Sequence, residues 1–198
     1  MKELNNQLTS NKTGMESLAH LLVGSIIVLL ILLLAIMLKS GIPCAIYVPT
    51  PIKVIRKMLD LVSLKPNEVL YDLGCGDGRI VLLAAKEYGA YAVGVEYNPF
   101  LVWVARRNIK KSGVRNRVSI IKGNLFNISL RDADVVTIYL SQYANARLKK
   151  KFEMELKPGA RVVSYVFPIN GWKPFIKDEK YRIFVYKVPE SIISHNND

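Results

Sequence analysis

The sequence predicts an α/β protein with a mostly parallel sheet and one transmembrane helix at its N-terminus. Three observations predict it: strand and helix patterns alternate from residue 68 onward, a glycine-rich turn follows the first strand, and an uncharged apolar run covers residues 18–38. Such alternation is typical of parallel sheets that are covered by helices on both faces. We therefore expect a Rossmann-like, doubly wound domain that follows a membrane anchor.

The apolar run, residues 18–38, contains no Asp, Glu, Lys or Arg. At 1.5 Å per residue it is about 31 Å long, enough for a hydrocarbon core of about 30 Å. The apolar core of a cleaved signal peptide is usually shorter, about 7–15 residues, and a soluble helix is rarely apolar on every face. The run therefore predicts a transmembrane helix, and the polar residues 1–17 before it predict a mobile tail.

Basic residues that flank the span predict its orientation. They are Lys2 and Lys12 before it, and Lys39, Lys53, Arg56 and Lys57 after it. Because the more basic flank stays in the cytoplasm, we expect a single-pass membrane protein whose C-terminal domain faces the cytoplasm.

Charge and cysteine usage limit the partners and the compartment. The net charge of +12 and pI of about 9.7 predict attraction to nucleic acid, anionic lipid or an acidic protein. A basic surface beside a membrane anchor needs no nucleic-acid role, because it gains from the negative leaflet potential. Cys44 and Cys75 form no CxxC pair, which predicts reduced thiols, and no cluster of His, Cys and carboxylates predicts a metal site.

The remaining elements follow in chain order. Residues 39–51 contain Gly41 and three prolines and predict an extended linker, and residues 52–61 have the apolar spacing of an amphipathic helix. Strands are predicted at 68–71, 91–95, 117–121, 134–140, 161–167 and 181–188, and helices at 79–88, 99–111 and 142–155. Residues 172–176 predict a short seventh strand at the edge. The folded domain is thus expected at 52–190, followed by a tail at 191–198.

The first strand ends at Asp72, and glycines follow at positions 74, 76 and 78. Glycine reaches positive φ freely and lets a ligand approach the backbone, and the next helix would present its N-terminus to that ligand. The P-loop pattern GxxxxGK[ST] is absent, and the spacing GxGxG differs from the dinucleotide pattern GxGxxG. Glu96, at the end of the second strand, can accept hydrogen bonds from ribose hydroxyls. Together these residues predict a nucleotide-binding site.

The pattern DxGxGxG resembles the first signature of class I methyltransferases that use S-adenosylmethionine. Four segments make the resemblance narrower: YVPTP (47–51), DLGCGDGRIV (72–81), GVEYNPFLVWVAR (94–106) and PGARVVSYVFPINGW (158–172). They resemble small archaeal protein-lysine methyltransferases and their membrane-anchored mitochondrial relatives, which methylate the adenine nucleotide translocase and the c-ring protein of ATP synthase. The resemblance implies a reduced seven-stranded class I methyltransferase fold and S-adenosyl-L-methionine as cofactor.

The resemblance also implies which residues bind the cofactor. Asp72 and the glycine backbone would hold its methionyl end, and Glu96 its ribose. Asn124 stands where many class I enzymes place an aspartate against adenine, and its amide oxygen can accept the same hydrogen bond. The full set is Asp72, Gly74, Cys75, Gly76, Gly78, Glu96, Tyr97, Asn98, Asn124 and Leu125.

Methylation of a lysine needs a neutral amine, aligned with the methyl group in a site that excludes water. Because the lysine pKa is about 10.4, desolvation or a proton acceptor must favour the neutral form. Aromatic and hydroxyl side chains suit such a channel, and the candidates before the first strand or near the fourth and fifth strand ends are Tyr47, Thr50, Tyr139, Phe167 and Trp172. Ordinary packing is the alternative interpretation for each, and no general base is evident.

The expected function is methylation of protein lysines at or near the membrane. The basic residues of segment 106–117 and Lys149–Lys151 could form a nucleic-acid face, but a solvated helix surface explains them as well. Enzymes that methylate DNA base amines usually carry Asn/Asp-Pro-Pro-aromatic after the fourth strand, where this chain has Leu140-Ser141-Gln142-Tyr143. Nucleic acid is therefore not favoured, while an RNA or small-molecule methyltransferase and a non-catalytic cofactor-binding scaffold remain alternatives.

Overall fold

The computed structural model describes residues 2–39 and 47–193, and it divides the chain into two compact units, residues 1–46 and 47–198. The first unit contains one helix, α1 (Lys2–Lys39). Its stretch Met15–Leu33 has a mean hydropathy of 2.3 and no buried side chains, so by length and composition it is a candidate membrane span.

The start of α1 differs from the expectation for residues 1–17. The sequence predicted a mobile tail at 1–17 with no regular element, whereas the structure includes residues 2–17 in α1. Extending an existing helix costs far less than starting one, and no proline interrupts this segment, so the apolar helix can continue toward the N-terminus. Residues 40–46 of the predicted linker lie outside the described residues.

The second unit is built on a seven-stranded sheet. Its strands are β1 (Val69–Leu73), β2 (Tyr91–Glu96), β3 (Val118–Lys122), β4 (Val135–Ile138), β5 (Arg161–Tyr165), β6 (Ile176–Asp178) and β7 (Ile183–Lys187). Its helices are α2 (Ile52–Leu61), α3 (Arg79–Tyr88), α4 (Pro99–Lys111), α5 (Gln142–Glu155) and α6 (Glu190–Ile193), with a 3₁₀ turn at Leu125–Asn127. The predicted Rossmann-like α/β fold is confirmed.

The strand order is β3-β2-β1-β4-β5-β7-β6, and the first five strands in this order are parallel. Strand β7 runs antiparallel between β5 and β6. Because the order reverses between β1 and β4, the carboxyl ends of these strands border the crevice where ligands bind in such folds.

Most strand bounds differ from the sequence prediction by one or two residues; for β5 and the edge strand β6 the structure shows the reason. β5 ends at Tyr165 instead of residue 167, because Val166 has a φ of 70° and turns the chain out of the sheet. The edge strand covers 176–178 instead of 172–176. Pro174 lacks the N–H group that a strand would use, so pairing begins only after it.

The sheet separates two layers of core residues. Helices α2, α3 and α4 cover one face, with Ile55, Met58 and Val81 fully buried there. Helix α5 covers the other face, where Phe152 and Tyr186 are fully buried. Both layers hold the carboxyl ends of β1, β2 and β4 in fixed positions for the site described next.

Candidate active site

A glycine loop follows β1 and leads into α3. Gly74, Gly76 and Gly78 have φ angles of 84°, 56° and 81°, a region that disfavours side chains. A β-carbon would also lack space: at Gly74 it would lie 3.0 Å from Leu140 Cδ2, and at Gly78 3.2 Å from Ala105 Cβ. The loop therefore presents bare backbone, as a ligand that lies against it requires.

Asp72, the last acidic residue before this loop, is 2% exposed. Its Oδ1 accepts a hydrogen bond of 2.6 Å from Thr137 Oγ1, whereas Oδ2 has no hydrogen-bond partner among the described residues. Burial raises the pKa of Asp72 to about 7; the Thr137 hydrogen bond opposes this, and the charges of Glu96 and Asp77 add to it. A buried acceptor without a partner fits a site that receives a hydrogen-bond donor from a ligand.

Glu96 ties the glycine loop to the end of β2. Its Oε2 accepts the Gly76 N–H at 3.0 Å, and its Oε1 accepts the Asn98 N–H at 2.8 Å. Each carboxylate oxygen can accept a further hydrogen bond, so the side chain retains capacity for ribose hydroxyls. The ribose contact of Glu96 stays a prediction.

A cleft of about 360 Å³ opens between the ends of β2 and β3, lined by Tyr97, Pro99, Lys122 and Gly123. Tyr97 is 56% exposed beside it. The cleft has the size and the partly aromatic wall that an adenine ring requires. The adenosine contacts of Tyr97 remain a prediction that this cleft supports.

The two asparagines predicted to contact the cofactor both cap helices. Asn98 Oδ1 accepts the backbone N–H groups of Phe100 and Leu101, and Asn124 Oδ1 accepts that of Phe126. The sequence reasoning missed these roles, although Asn followed by Pro is a signal for a helix start. Leu125 lies half-buried in the 3₁₀ turn that Asn124 caps.

Cys75 is 5% exposed, and its Sγ packs against β2. A β-carbon at Gly94 would lie 2.7 Å from this sulfur, so the glycine in β2 makes room for the cysteine. Burial raises the pKa of the Cys75 thiol, which therefore stays neutral. Its position is that of a space-filling residue behind the loop.

Residues 47–51 lie against the glycine loop, and Arg79 holds them there. Its Nη1 donates to Thr50 O at 3.0 Å and its Nη2 to Tyr47 Oη at 3.5 Å, while Nε and Nη2 bind the Asp77 carboxylate at 2.9 and 2.8 Å. Thr50 is 4% exposed, and the Tyr47 ring contacts Gly76. Sequence reasoning gave no role to Asp77, which stands between two glycines, or to Arg79, the first residue of the predicted helix.

Two tyrosines pair at the ends of β4 and β5. The ring centroids of Tyr139 and Tyr165 lie 4.7 Å apart with planes tilted by 58°. Phe167 is half-buried just beyond them, and its carbonyl oxygen accepts hydrogen bonds from Asn145 Nδ2 at 2.9 Å and from Ser164 Oγ. Tyr165 was not predicted, because its place beside Tyr139 depends on the register of β4 and β5.

Trp172, the last of the channel candidates, packs in the core. It is 5% exposed, its ring contacts those of Phe152 and Tyr186, and its Nε1 donates to Glu153 Oε1 at 3.0 Å. Glu153 lies near the C-terminal end of α5, about 16 Å along the helix from the strand ends where α5 begins. Trp172 is therefore a core residue on the α5 face of the sheet.

Comparisons with known proteins agree with this geometry. The ANTKMT methyltransferase domain matches residues 72–176. A protein-lysine N-methyltransferase of Saccharolobus islandicus is 46% identical over 158 residues, which cover 76% of this chain and 98% of that protein. An adenine nucleotide translocase lysine N-methyltransferase of mouse is 35% identical over 144 residues, which cover 72% of this chain and 62% of that protein, so the chain spans less than two thirds of this relative.

A solved structure is similar as well. The RNA methyltransferase from Salinibacter ruber in complex with S-adenosyl-L-homocysteine is 41% identical, with a TM-score of 0.70, and the match covers 72% of this chain and 95% of that one. S-adenosyl-L-homocysteine, which is the cofactor without its methyl group, is thus bound by a protein with the same fold.

Proposed function

Because this chain belongs to the family of S-adenosylmethionine-dependent protein-lysine methyltransferases that the ANTKMT domain defines, we propose that it methylates lysine side chains of proteins at or near a membrane. The observation that carries the lysine substrate is the 46% identity along 98% of an archaeal protein-lysine N-methyltransferase. The chain is an enzyme, and S-adenosyl-L-methionine is its cofactor.

The residues of the site fit this cofactor. The bare glycine loop offers backbone to its methionyl end, the buried Oδ2 of Asp72 offers an acceptor, and Glu96 offers carboxylate oxygens to its ribose. When bound, the cofactor supplies a methyl group that its sulfonium already activates. The protein therefore has to position the acceptor amine and keep it neutral.

The pair Tyr139 and Tyr165 is suited to keeping the acceptor amine neutral. Burial raises the pKa of Tyr165, so its hydroxyl is protonated at neutral pH and does not serve as a base. Rings of Tyr139 and Tyr165 would instead surround the aliphatic part of a lysine and remove water from its amine. Desolvation lowers the pKa of an amine and so favours its neutral, nucleophilic form.

The candidate span supports the membrane part of the proposal. Met15–Leu33 is long and apolar enough to cross a bilayer, and the basic residues after it favour a domain on the cytoplasmic side. A single-pass anchor would keep the active site close to membrane proteins and lipid. The partners we propose are therefore a membrane-associated protein substrate and the bilayer itself.

The experiment uses the full chain in membranes of its own host, supplied with methyl-labelled S-adenosylmethionine. We expect label on proteins of the membrane fraction more than on soluble proteins of the same cells. A Glu96→Ala chain at equal amount serves as the control, since it lacks a residue that we assign to the cofactor. Equal labelling of soluble proteins would contradict the membrane part of the proposal.

RNA is the second candidate substrate, because one observation favours it. The similar structure from Salinibacter ruber bears the name of an RNA methyltransferase. The same labelling experiment separates the two, since RNA and protein are recovered apart. Label in RNA that ribonuclease removes would favour this second candidate.

A further inference from the structure

We propose that α4 carries a second membrane contact, a surface that places the folded domain on anionic lipid headgroups. The surface consists of Phe100, Trp103, Arg107, Lys110 and Lys111, here called the α4 stripe. It is separate from the glycine loop and from the tyrosine pair. The inference rests on the proposed membrane anchoring and needs no assumption about the methyl acceptor.

The stripe follows the geometry of the helix. At about 100° per residue its five members fall within an arc of about 100°. The buried members of α4, Val102, Ala105 and Ile109, lie on the opposite side. Phe100 is 66% exposed and Trp103 is 55% exposed, so two large aromatic rings face solvent and do not pack in the core.

The segment of chain that contains the stripe carries charge of a single sign. Residues 97–131 contain no Asp or Glu. They contain eight basic residues: Arg106, Arg107, Lys110, Lys111, Arg115, Arg117, Lys122 and Arg131. Arg106, Arg107, Lys110 and Lys111 lie on α4 itself and attract anions to it, and each lysine or arginine near an anionic leaflet adds to the attraction.

The aromatic rings are better suited to lipid headgroups than to nucleic acid. Trp103 stacks on Phe100 with centroids 6.0 Å apart and planes at 27°, and the Arg107 guanidinium lies 5.5 Å from the Trp103 ring centre. Because a single-strand binder stacks bases on free ring faces, this arrangement is unfavourable for nucleic acid. An interfacial aromatic needs only an apolar body and a polar edge, with basic residues close by.

Because the domain is connected through the chain to the candidate span, a weak contact between the α4 stripe and the membrane is sufficient to hold the domain there. Met15–Leu33 and the domain that begins at Tyr47 belong to one chain. Attachment of this kind raises the effective concentration of the bilayer surface, so the stripe needs little affinity of its own. It would keep the domain on the membrane surface, where the proposed substrates lie.

The test measures whether Trp103 reaches the boundary between the headgroups and the acyl chains. The full chain is placed in nanodiscs whose lipids carry bromine on their acyl chains, with either neutral or partly anionic headgroups, and tryptophan emission is recorded. The chain has two tryptophans, and Trp172 is buried, so it gives a constant background. We expect bromine to quench Trp103 in anionic discs and much less in neutral ones, and Trp103→Phe to remove the quenched part.

Charge variants make the test specific. The triple variant Arg107→Gln, Lys110→Gln, Lys111→Gln should lower the docked-to-undocked ratio by about tenfold or more, since three attractive charges are lost. The matched control Lys65→Gln, Lys86→Gln, Lys150→Gln removes three exposed charges elsewhere and should leave quenching unchanged.

Three results would overturn the proposal: no quenching, equal quenching in neutral and anionic discs, or equal loss in the control variant. A Trp103 response to oligouridine but not to anionic discs would show a nucleic-acid surface instead. Absence of lysine methylation would leave this test unaffected, because no methyl acceptor enters it.

Discussion

The ring of Tyr47 lies directly against Gly76, so closely that a β-carbon on the glycine would come within 2.4 Å of Tyr47 Cε2. Tyr47 precedes the first strand, whereas Gly76 is the middle glycine of the loop that follows it. The contact brings the segment 47–51 over the proposed cofactor site. Residues far apart in sequence thus form one wall of that site.

Gly76→Ala should reduce cofactor affinity more than tenfold. The new methyl group would displace Tyr47, and alanine at a φ of 56° adds backbone strain of about 1–2 kcal/mol. Calorimetric titration with S-adenosylmethionine measures the effect. Gly113→Ala is the matched control, because Gly113 also has a positive φ, 78°, but open space around it. Wild-type affinity in the Gly76 variant would show that the ligand does not use this loop.

Arg79→Gln should release the segment 47–51 from the loop. The variant loses the hydrogen bonds from Arg79 to Thr50 and Asp77, which are the main anchor of this segment. We therefore expect faster amide hydrogen exchange in residues 47–51 and weaker cofactor binding. Arg56→Gln provides the comparison, since Arg56 pairs with Glu87 on the exposed surface. Unchanged exchange in the Arg79 variant would mean that other contacts hold the segment.

The contribution of Asp72 to the free energy of unfolding should decrease as the pH rises from about 4 to about 7. Its pKa is about 7 in the folded protein and near 3.8 ordinarily, so the folded state binds the extra proton between these values. The free energy of unfolding then decreases by up to about 1.4 kcal/mol for each pH unit in that window and is constant above it. Asp72→Asn should remove this component.

Urea unfolding of the full chain in detergent micelles, followed by tryptophan emission, measures this dependence. The quantity to compare is the difference between wild type and Asp72→Asn at each pH, because other groups titrate equally in both. A difference that does not vary with pH between 5 and 8 would mean that Asp72 is ionised in the folded protein.

Trp172→Phe should destabilise the domain without affecting catalysis. The variant loses the Nε1 bond to Glu153 and part of the packing on Phe152 and Tyr186, which together are worth about 1–3 kcal/mol. We expect kcat within twofold of wild type at a temperature where both are folded. Tyr139→Ala, by contrast, should lower kcat at least tenfold. A large loss of kcat in the folded Trp172 variant would return this residue to the active site.

The meeting of Asp72, the glycine loop and Glu96 at the strand ends could be predicted from the sequence, because alternate glycines and acids there contribute little to packing; their cofactor contacts stay predictions. Asp72, the glycine loop and Glu96 follow from that rule. The Arg79 anchor could not be predicted, since it depends on a contact with Thr50 that only the fold creates. The core position of Trp172 could not be predicted for the related reason that an indole after a strand has the same sequence pattern in a core and in a channel.

The helix caps formed by Asn98 and Asn124 show a different limit. An asparagine at a strand end can bind a ligand or cap the next helix, and the pattern of residues is the same in both cases. The structure identifies the caps through the N–H groups of Phe100 and Phe126. The helical residues 2–17 were missed because polar residues without an apolar face give no periodic signal.

The most direct test of the central claim is to identify the methylated atom. The full chain in its host's membranes is supplied with S-adenosylmethionine that carries a deuterated methyl group, and labelled proteins are analysed by tandem mass spectrometry. We predict deuterated methyl on lysine Nζ, absent with Asp72→Ala or Glu96→Ala. Deuterated methyl only in RNA or in small molecules, with no labelled lysine despite measurable cofactor binding, would contradict the proposal of a protein-lysine methyltransferase.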